Sequence, residues 1–225
     1  MENTSQTFEQ TERTTLTRSL KRGTYDKQTI YDILDESLVC HVSYVQNEQP
    51  FMIPISYGRI DDKLYIHGSV GSHFFRELAK GIDVCICITL LDGLILARST
   101  FHHSVNYRSV VIFGKTELVT DEEERWKALE CFTEHIIPGR WNDARQPNAS
   151  EMKKTMVICI PLEEASAKVR TGGVNDDEED MNLNVWAGIL PLKLVPQLPE
   201  RDAVLDPSIE LPDYIKNYNK SVKRV

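Results

Sequence analysis

The sequence has no long apolar run. Nowhere do about 18 apolar residues follow one another, so a membrane-spanning helix is not expected. It also lacks a surplus of positive charge: 26 Lys and Arg stand against 34 Asp and Glu, a formal net charge of −8. That excludes a general nucleic-acid-binding surface, which needs clustered cations. Any phosphate must be gripped locally, by a few donors. Cysteines are few and odd in number: Cys40, Cys85, Cys87, Cys131 and Cys159. None forms a C-x-x-C pair, so neither a disulfide framework nor a zinc site is expected, and the thiols read as small core residues. Residues 1–13 carry Glu2, Glu9 and Glu12 and no hydrophobic signal core, which points to the cytoplasm. G-x-G-x-x-G and G-x-S-x-G are missing and no G-K-[ST] follows the Gly-rich bend at 68–73, which removes the sequence support for a dinucleotide fold, a P-loop there or an α/β-hydrolase.

What is present reads as one domain rich in antiparallel strands. Residues 1–13 form a loosely held arm, 14–195 the domain, and 196–225 a Pro-containing tail that wraps the surface. Asp26 caps a short helix over 27–36, with Ile30, Ile33 and Leu34 at helical spacing. Strands are predicted at 37–45, 51–59 and 64–67, a short helix at 72–80, and strands at 83–90, 94–100 and 109–120. Asp92-Gly93 reads as a turn between two of these strands. A long helix is predicted at 121–137, stopped by Pro138-Gly139. A polar loop covers 140–150, and strands follow at 155–160, 165–170 and 185–193. Helical crossovers are too few for a doubly wound sheet, so a mainly β barrel with Greek-key-like antiparallel strands is expected. The 84–90 run is more apolar than a strand with one wet face and is expected to be buried on both faces or to lie at a subunit interface.

Three constellations carry chemistry. In the first, a strand ends in Tyr65-Ile66-His67-Gly68-Ser69-Val70-Gly71-Ser72-His73 and opens a helix. Backbone N–H groups, the Ser69 and Ser72 hydroxyls, His73 and Arg76 suit a small phosphate there, though a plain capped turn would look the same. The second is 97–109, dense in polar donors and containing His102-His103 and Arg108-Ser109. Adjacent histidines on a strand point to opposite faces and no carboxylate has metal spacing, so no metal is expected; Arg108 and Ser109 suit an anion or a ring carbonyl. In the third, Lys168 and Arg170 share a strand face and Trp186 sits beside Ala187 and Gly188. The two cations suit an anion or a salt bridge, and Trp186 suits either a flat ring contact or core packing.

Taken in order, the segments Cys40-His41-Val42, Leu64-Tyr65-Ile66-His67-Gly68-Ser69, Asp92-Gly93-Leu94, Arg108-Ser109-Val110, Pro138-Gly139-Arg140-Trp141, Ala167-Lys168-Val169-Arg170-Thr171-Gly172 and Val185-Trp186-Ala187-Gly188 resemble the flavin-nucleotide-binding, pyridoxamine-5′-phosphate-oxidase-like proteins, relatives of nitroimidazole-resistance proteins. The resemblance spans about residues 13–195. It implies a split β-barrel, an FMN cofactor, a homodimer with the flavin at its interface, and oxidoreductase chemistry with a small-molecule electron donor or acceptor. A non-catalytic flavin or haem store or sensor is the alternative. The resemblance further implies that Pro54, Ile55, Ser56 and Tyr57 run along the isoalloxazine edge and that His67, with Gly68 and Ser69, lies near the ring or ribityl chain. Ser72 and His73 would face the phosphate, helped by Lys168 and Arg170. Arg108 and Ser109 would approach from the next strands, and Trp186 from the partner subunit. His67 and then His103 are the foremost candidates for a polar group acting on the ring. His73-Phe74 stands where true pyridoxamine-phosphate oxidases carry Arg-Lys, so pyridoxamine phosphate is not the expected substrate.

Overall fold

The computed structural model describes residues 6–218. Two antiparallel sheets carry the fold. The larger runs in the order β1 (Gly23–Thr24), β10 (Glu164–Arg170), β7 (Ser104–Lys115), β6 (Asp83–Leu96), β2 (Cys40–Gln46), β3 (Gln49–Ile55), with β11 (Gly188–Pro191) also pairing with β6. The smaller runs β4 (Gly58–Ile60), β5 (Lys63–Ser69), β9 (Thr155–Pro161), β8 (Glu117–Leu118). This is the mainly β, antiparallel architecture that the strand order implies, in the split-barrel form that the resemblance implies.

The main core lies between the sheets. Strand alternation puts Val42, Ile86, Ile88, Val110 and Ile112 on the inner face of the large sheet, all fully or almost fully buried. Helix α1 (Lys27–Glu36) closes this core with Ile30, Ile33 and Leu34. Its start is fixed by Asp26, whose carboxylate accepts the Thr29 N–H at 2.7 Å. Helix α2 (His73–Leu78) adds Phe75 and Leu78. The second cluster packs α3 (Glu122–Ile136) on the other face of the small sheet, through Tyr65, Leu129, Val157 and Cys159. Gly58 permits that approach: a Cβ there would lie 2.9 Å from the Phe132 backbone nitrogen.

Several expectations change. The 51–59 strand breaks at Ser56-Tyr57, where the chain leaves the large sheet and enters the small one. Asp92-Gly93 is no hairpin turn; it is an irregularity within the 14-residue β6, where the register with β7 shifts between Leu91 and Gly93. The carboxylate that suggested a turn is engaged by Arg108. The 84–90 run alternates: Cys85 and Cys87 are half-exposed while their neighbours are buried. His102 ends a short 3-10 turn, so the opposite-face rule for strands does not apply to it and His103. Helix α4 (Ala149–Lys154), closed by a capping box between Asn148 and Glu151, occupies the end of the expected loop. The arm is pinned where it is described: Phe8 is buried in the main cluster and its N–H donates to the Tyr25 carbonyl. The tail returns at α5 (Asp213–Lys216), where Tyr218 donates to the Ile136 carbonyl at 2.8 Å.

Candidate functional site

The strand β5, the bend after it and the start of α2 bring His67, Gly68, Ser69, Ser72 and His73 together. Leu64 and Ile66 enter the main core, and alternation turns Tyr65 and His67 toward α3. The His67 imidazole meets Phe132 edge-on, with ring centroids 4.1 Å apart. Its Nδ1 is buried and has no hydrogen-bond partner among the described residues. Burial pushes its pKa below the usual histidine range, so the ring is held neutral at pH 7. Gly68 is required by packing: a Cβ there would sit 2.2 Å from the Phe75 ring. The bend is held by the Ser72 N–H donating to the Ser69 carbonyl at 2.9 Å and by the Gly71 N–H donating to Ser69 Oγ at 3.1 Å. Ser72 occupies the N-cap position of α2, yet its hydroxyl makes no capping bond. His73 is exposed, with its Nε2 at 3.4 Å from Gln46 Nε2 and 3.8 Å from Glu77.

Of the proposed ring-edge segment, Pro54 and Ile55 lie on β3, an outermost strand of the large sheet that pairs with β2. Tyr57 is a core residue. It is fully buried, its hydroxyl donates to the Leu34 carbonyl at 2.5 Å, and its ring lies against His135. The Tyr57 side chain therefore offers nothing to a ligand; Ser56, half-exposed, marks the crossing between sheets.

The outer face of the large sheet gathers Ser109, Lys168 and Arg170. Ser109 lies opposite Lys168 on β10 and opposite Thr89 on β6, and Arg170 lies opposite Tyr107. Arg108 does not join them. Its side chain alternates to the other face and forks onto two carboxylates, Glu36 at 2.5 and 2.9 Å and Asp92 at 2.7 and 2.9 Å. Those contacts raise its pKa further, Glu36 contributing most. With four donors engaged, Arg108 ties the end of α1 to β6 and has no fork left for an anion.

The polar segment 97–109 is explained largely by its own partners. The Arg98 backbone and guanidinium both bind Asp176, at 2.9 and 2.7 Å. His103 Nδ1 is 3.0 Å from the Ser99 carbonyl. His102 Nε2 is 3.0 Å from Asp177, which raises its pKa. Asp177 and Asp180 place ligand-type oxygens within 4.8 Å of that nitrogen. Spacing along the chain hid these carboxylates, because they arrive from 75 residues further on. Trp186 precedes β11 and is 69 % exposed; its ring folds over Gly188, where a Cβ would meet it at 2.7 Å. It is not core packing within one chain.

A profile of the pyridoxamine 5′-phosphate oxidase family matches residues 26–169. The chain belongs to this family. Among solved structures, flavocytochrome Anf3 from Azotobacter vinelandii is 36 % identical, covering 93 % of this chain and 97 % of its own, with a TM-score of 0.86. The FAD and heme binding protein from Mycobacterium smegmatis is 31 % identical over 87 % of this chain and 96 % of its own, with a TM-score of 0.83. A candidate 5-nitroimidazole antibiotic resistance protein from Bacteroides thetaiotaomicron shares the fold at 24 % identity, over 65 % of this chain and 86 % of its own, with a TM-score of 0.56. No curated protein sequence gave a significant match. Within this oxidase-family fold, sequence reasoning missed Glu36 and Asp92 as the partners of Arg108, and Asn106 as the anchor of Arg170. Asn106 is 8 % exposed and accepts from Arg170 at 2.7 Å. Asn106 stands between Val105 and Tyr107 in a strand-like segment, where a short amide needs a hydrogen-bond partner, and that was the available signal. Among the described residues no helix is long and apolar enough to cross a membrane.

Proposed function

We propose that this chain binds a flavin nucleotide at the interface of a homodimer and uses it for electron transfer to or from a small molecule. The observation that carries the reading is similarity over nearly the whole chain to a flavocytochrome and to a protein named for FAD and heme. Site chemistry supports it. His67 keeps a partnerless buried nitrogen, the Ser72 hydroxyl makes no capping bond, and neither Lys168 nor Arg170 is in an ion pair among the described residues. These fit a ligand bearing both a polar ring and phosphate. His67, Gly68, Ser69, Ser72 and His73 would form one wall, and Ser109, Lys168 and Arg170 another. The flavin ring supplies the redox chemistry; the protein binds it, orients it and excludes water.

Dimerisation is supported by exposed apolar surface. Val185, Trp186, Ile189, Leu190 and Leu194 are all exposed in one stretch around β11. Contiguous patches of this kind on a soluble chain mark an interaction surface. A partner subunit laid there would cover Trp186 and bring the two walls together.

The relatives favour FAD over the FMN that the sequence resemblance implies, since one is named for FAD. They also favour a second reading, a protein that carries haem beside flavin or in its place. Among the described residues, His41, His73 and His103 are the exposed histidines accessible for iron. Mass spectrometry of the chromophore released from purified protein separates these readings. FAD or FMN supports the flavin proposal, haem alone supports the second reading, and a colourless protein that takes up none of them removes both.

A further inference from the structure

The chain returns after β10 and meets the connection between β6 and β7 at His102. His102 ends the 3-10 turn Thr100–His102. Its own N–H donates to the Ser99 carbonyl at 3.1 Å, and Ser99 Oγ accepts the Phe101 N–H at 3.3 Å. The returning segment is clasped one residue before the contact, because Arg98 takes Asp176 through both its backbone N–H and its guanidinium. Asp177 then precedes a second 3-10 turn, Glu178–Asp180, and the Asp180 N–H donates to the Asp177 carbonyl at 3.0 Å. Three residues per turn bring side chains at i and i+3 into line, so Asp177 and Asp180 meet the imidazole together. One ligand-type atom from each of His102, Asp177 and Asp180 lies within 4.8 Å of the other two. Neither carboxylate is taken elsewhere among the described residues. Asp177 makes no capping bond to its own turn, and its carboxylate meets only His102 Nε2, at 3.0 Å. Asp180 is half-buried, and its carboxylate has no Lys or Arg partner, the nearby Arg98 being held by Asp176. Two carboxylates this close repel unless a counter-charge sits between them.

We infer that His102, Asp177 and Asp180 form a binding site for a divalent first-row transition-metal ion, of the manganese or zinc kind. One imidazole nitrogen and two carboxylate oxygens suit such an ion, whereas Mg2+ and Ca2+ seek oxygen ligands alone. With metal–ligand bonds of about 2.0–2.2 Å, ligand atoms on one ion stand about 3–3.5 Å apart. The His102–Asp177 pair already has that spacing, and a small rotation of the Asp180 side chain brings in the third ligand. Asp177 is exposed, so the ion enters from solvent and water completes its coordination. Bound there, it ties the returning segment to the connection between β6 and β7. The inference does not rest on the flavin reading, since none of the three residues belongs to either wall proposed for the flavin.

The test uses the full chain, treated with a chelator and dialysed. Mn2+ is titrated by electron paramagnetic resonance, which reads the free ion, and the bound ion is then displaced with Zn2+ or Mg2+. The expected result is one Mn2+ per chain, displaced by Zn2+ at lower concentrations than by Mg2+. His102→Gln, Asp177→Asn and Asp180→Asn should each weaken Mn2+ binding by about tenfold or more. Glu179→Gln, which removes a charge from the same turn, should leave it unchanged. Melting temperatures show that the variants fold. The site is overturned if no Mn2+ is taken up, or if uptake survives all three substitutions. It is equally overturned if Glu179→Gln weakens binding as much as they do, or if Mg2+ displaces Mn2+ as readily as Zn2+ does. Either of those outcomes marks loose attraction to an acidic surface.

Discussion

His67 on β5 meets Phe132 on α3 ring edge to ring face, 4.1 Å between centroids and 82° between planes. The contact buries an imidazole nitrogen without a partner, and its consequence is pH-dependent. Folding lowers the His67 pKa, so the unfolded chain binds more protons than the folded one below the ordinary histidine value of about 6.5. Stability is therefore full above that pH and falls as pH drops toward the folded pKa. His67→Phe should flatten this part of the pH–stability curve in urea unfolding between pH 7 and 5. An unchanged slope would remove burial of neutral His67 as its source.

Arg108 should behave as a structural residue. Arg108→Met leaves Glu36 and Asp92 facing each other and should cost about 1–3 kcal/mol, less than for a fully buried pair because the cluster is part-exposed. The melting temperature should fall while the flavin-to-protein ratio of the folded fraction holds. Loss of flavin without loss of stability would place Arg108 back in the binding site.

Tyr57→Phe removes one hydroxyl from the core and leaves the Leu34 carbonyl at the end of α1 without that donor. The expected loss is about 1–3 kcal/mol of unfolding free energy. A neutral substitution would mean that water replaces the phenol.

Gly68→Ala should be costly in spite of its small size. The new methyl group falls 2.2 Å from the Phe75 ring, so α2 must shift, at about 1–3 kcal/mol. A double variant with Phe75→Leu should recover part of that loss. A single variant as stable as the wild type contradicts the packing role.

Helix α1 and its cap were legible in full, because Asp26, Ile30, Ile33 and Leu34 are local signals that the tertiary structure reinforces. Most strands of the two sheets were legible for the same reason, through runs of β-branched residues between polar turns. What could not be read depends on contacts distant in sequence. Asp92-Gly93 carries the composition of a hairpin turn, yet Arg108, 16 residues on, takes the carboxylate while the strand continues. Tyr57 reads as part of one continuous 51–59 strand, but the chain switches sheets at that point. In the candidate site, the grouping of Gly68, Ser69, Ser72 and His73 was visible because it is contiguous, and Lys168 with Arg170 because strand period 2 puts them on one face. The carboxylates beside His102 rest on a return of the chain 75 residues later, which local spacing does not encode.

Native mass spectrometry of the freshly purified protein is the most direct test of the flavin dimer. The account predicts a mass of two chains with flavin bound, together with absorbance near about 450 nm from the oxidised ring. A single chain without flavin, still empty after incubation with FAD and with FMN, would contradict it.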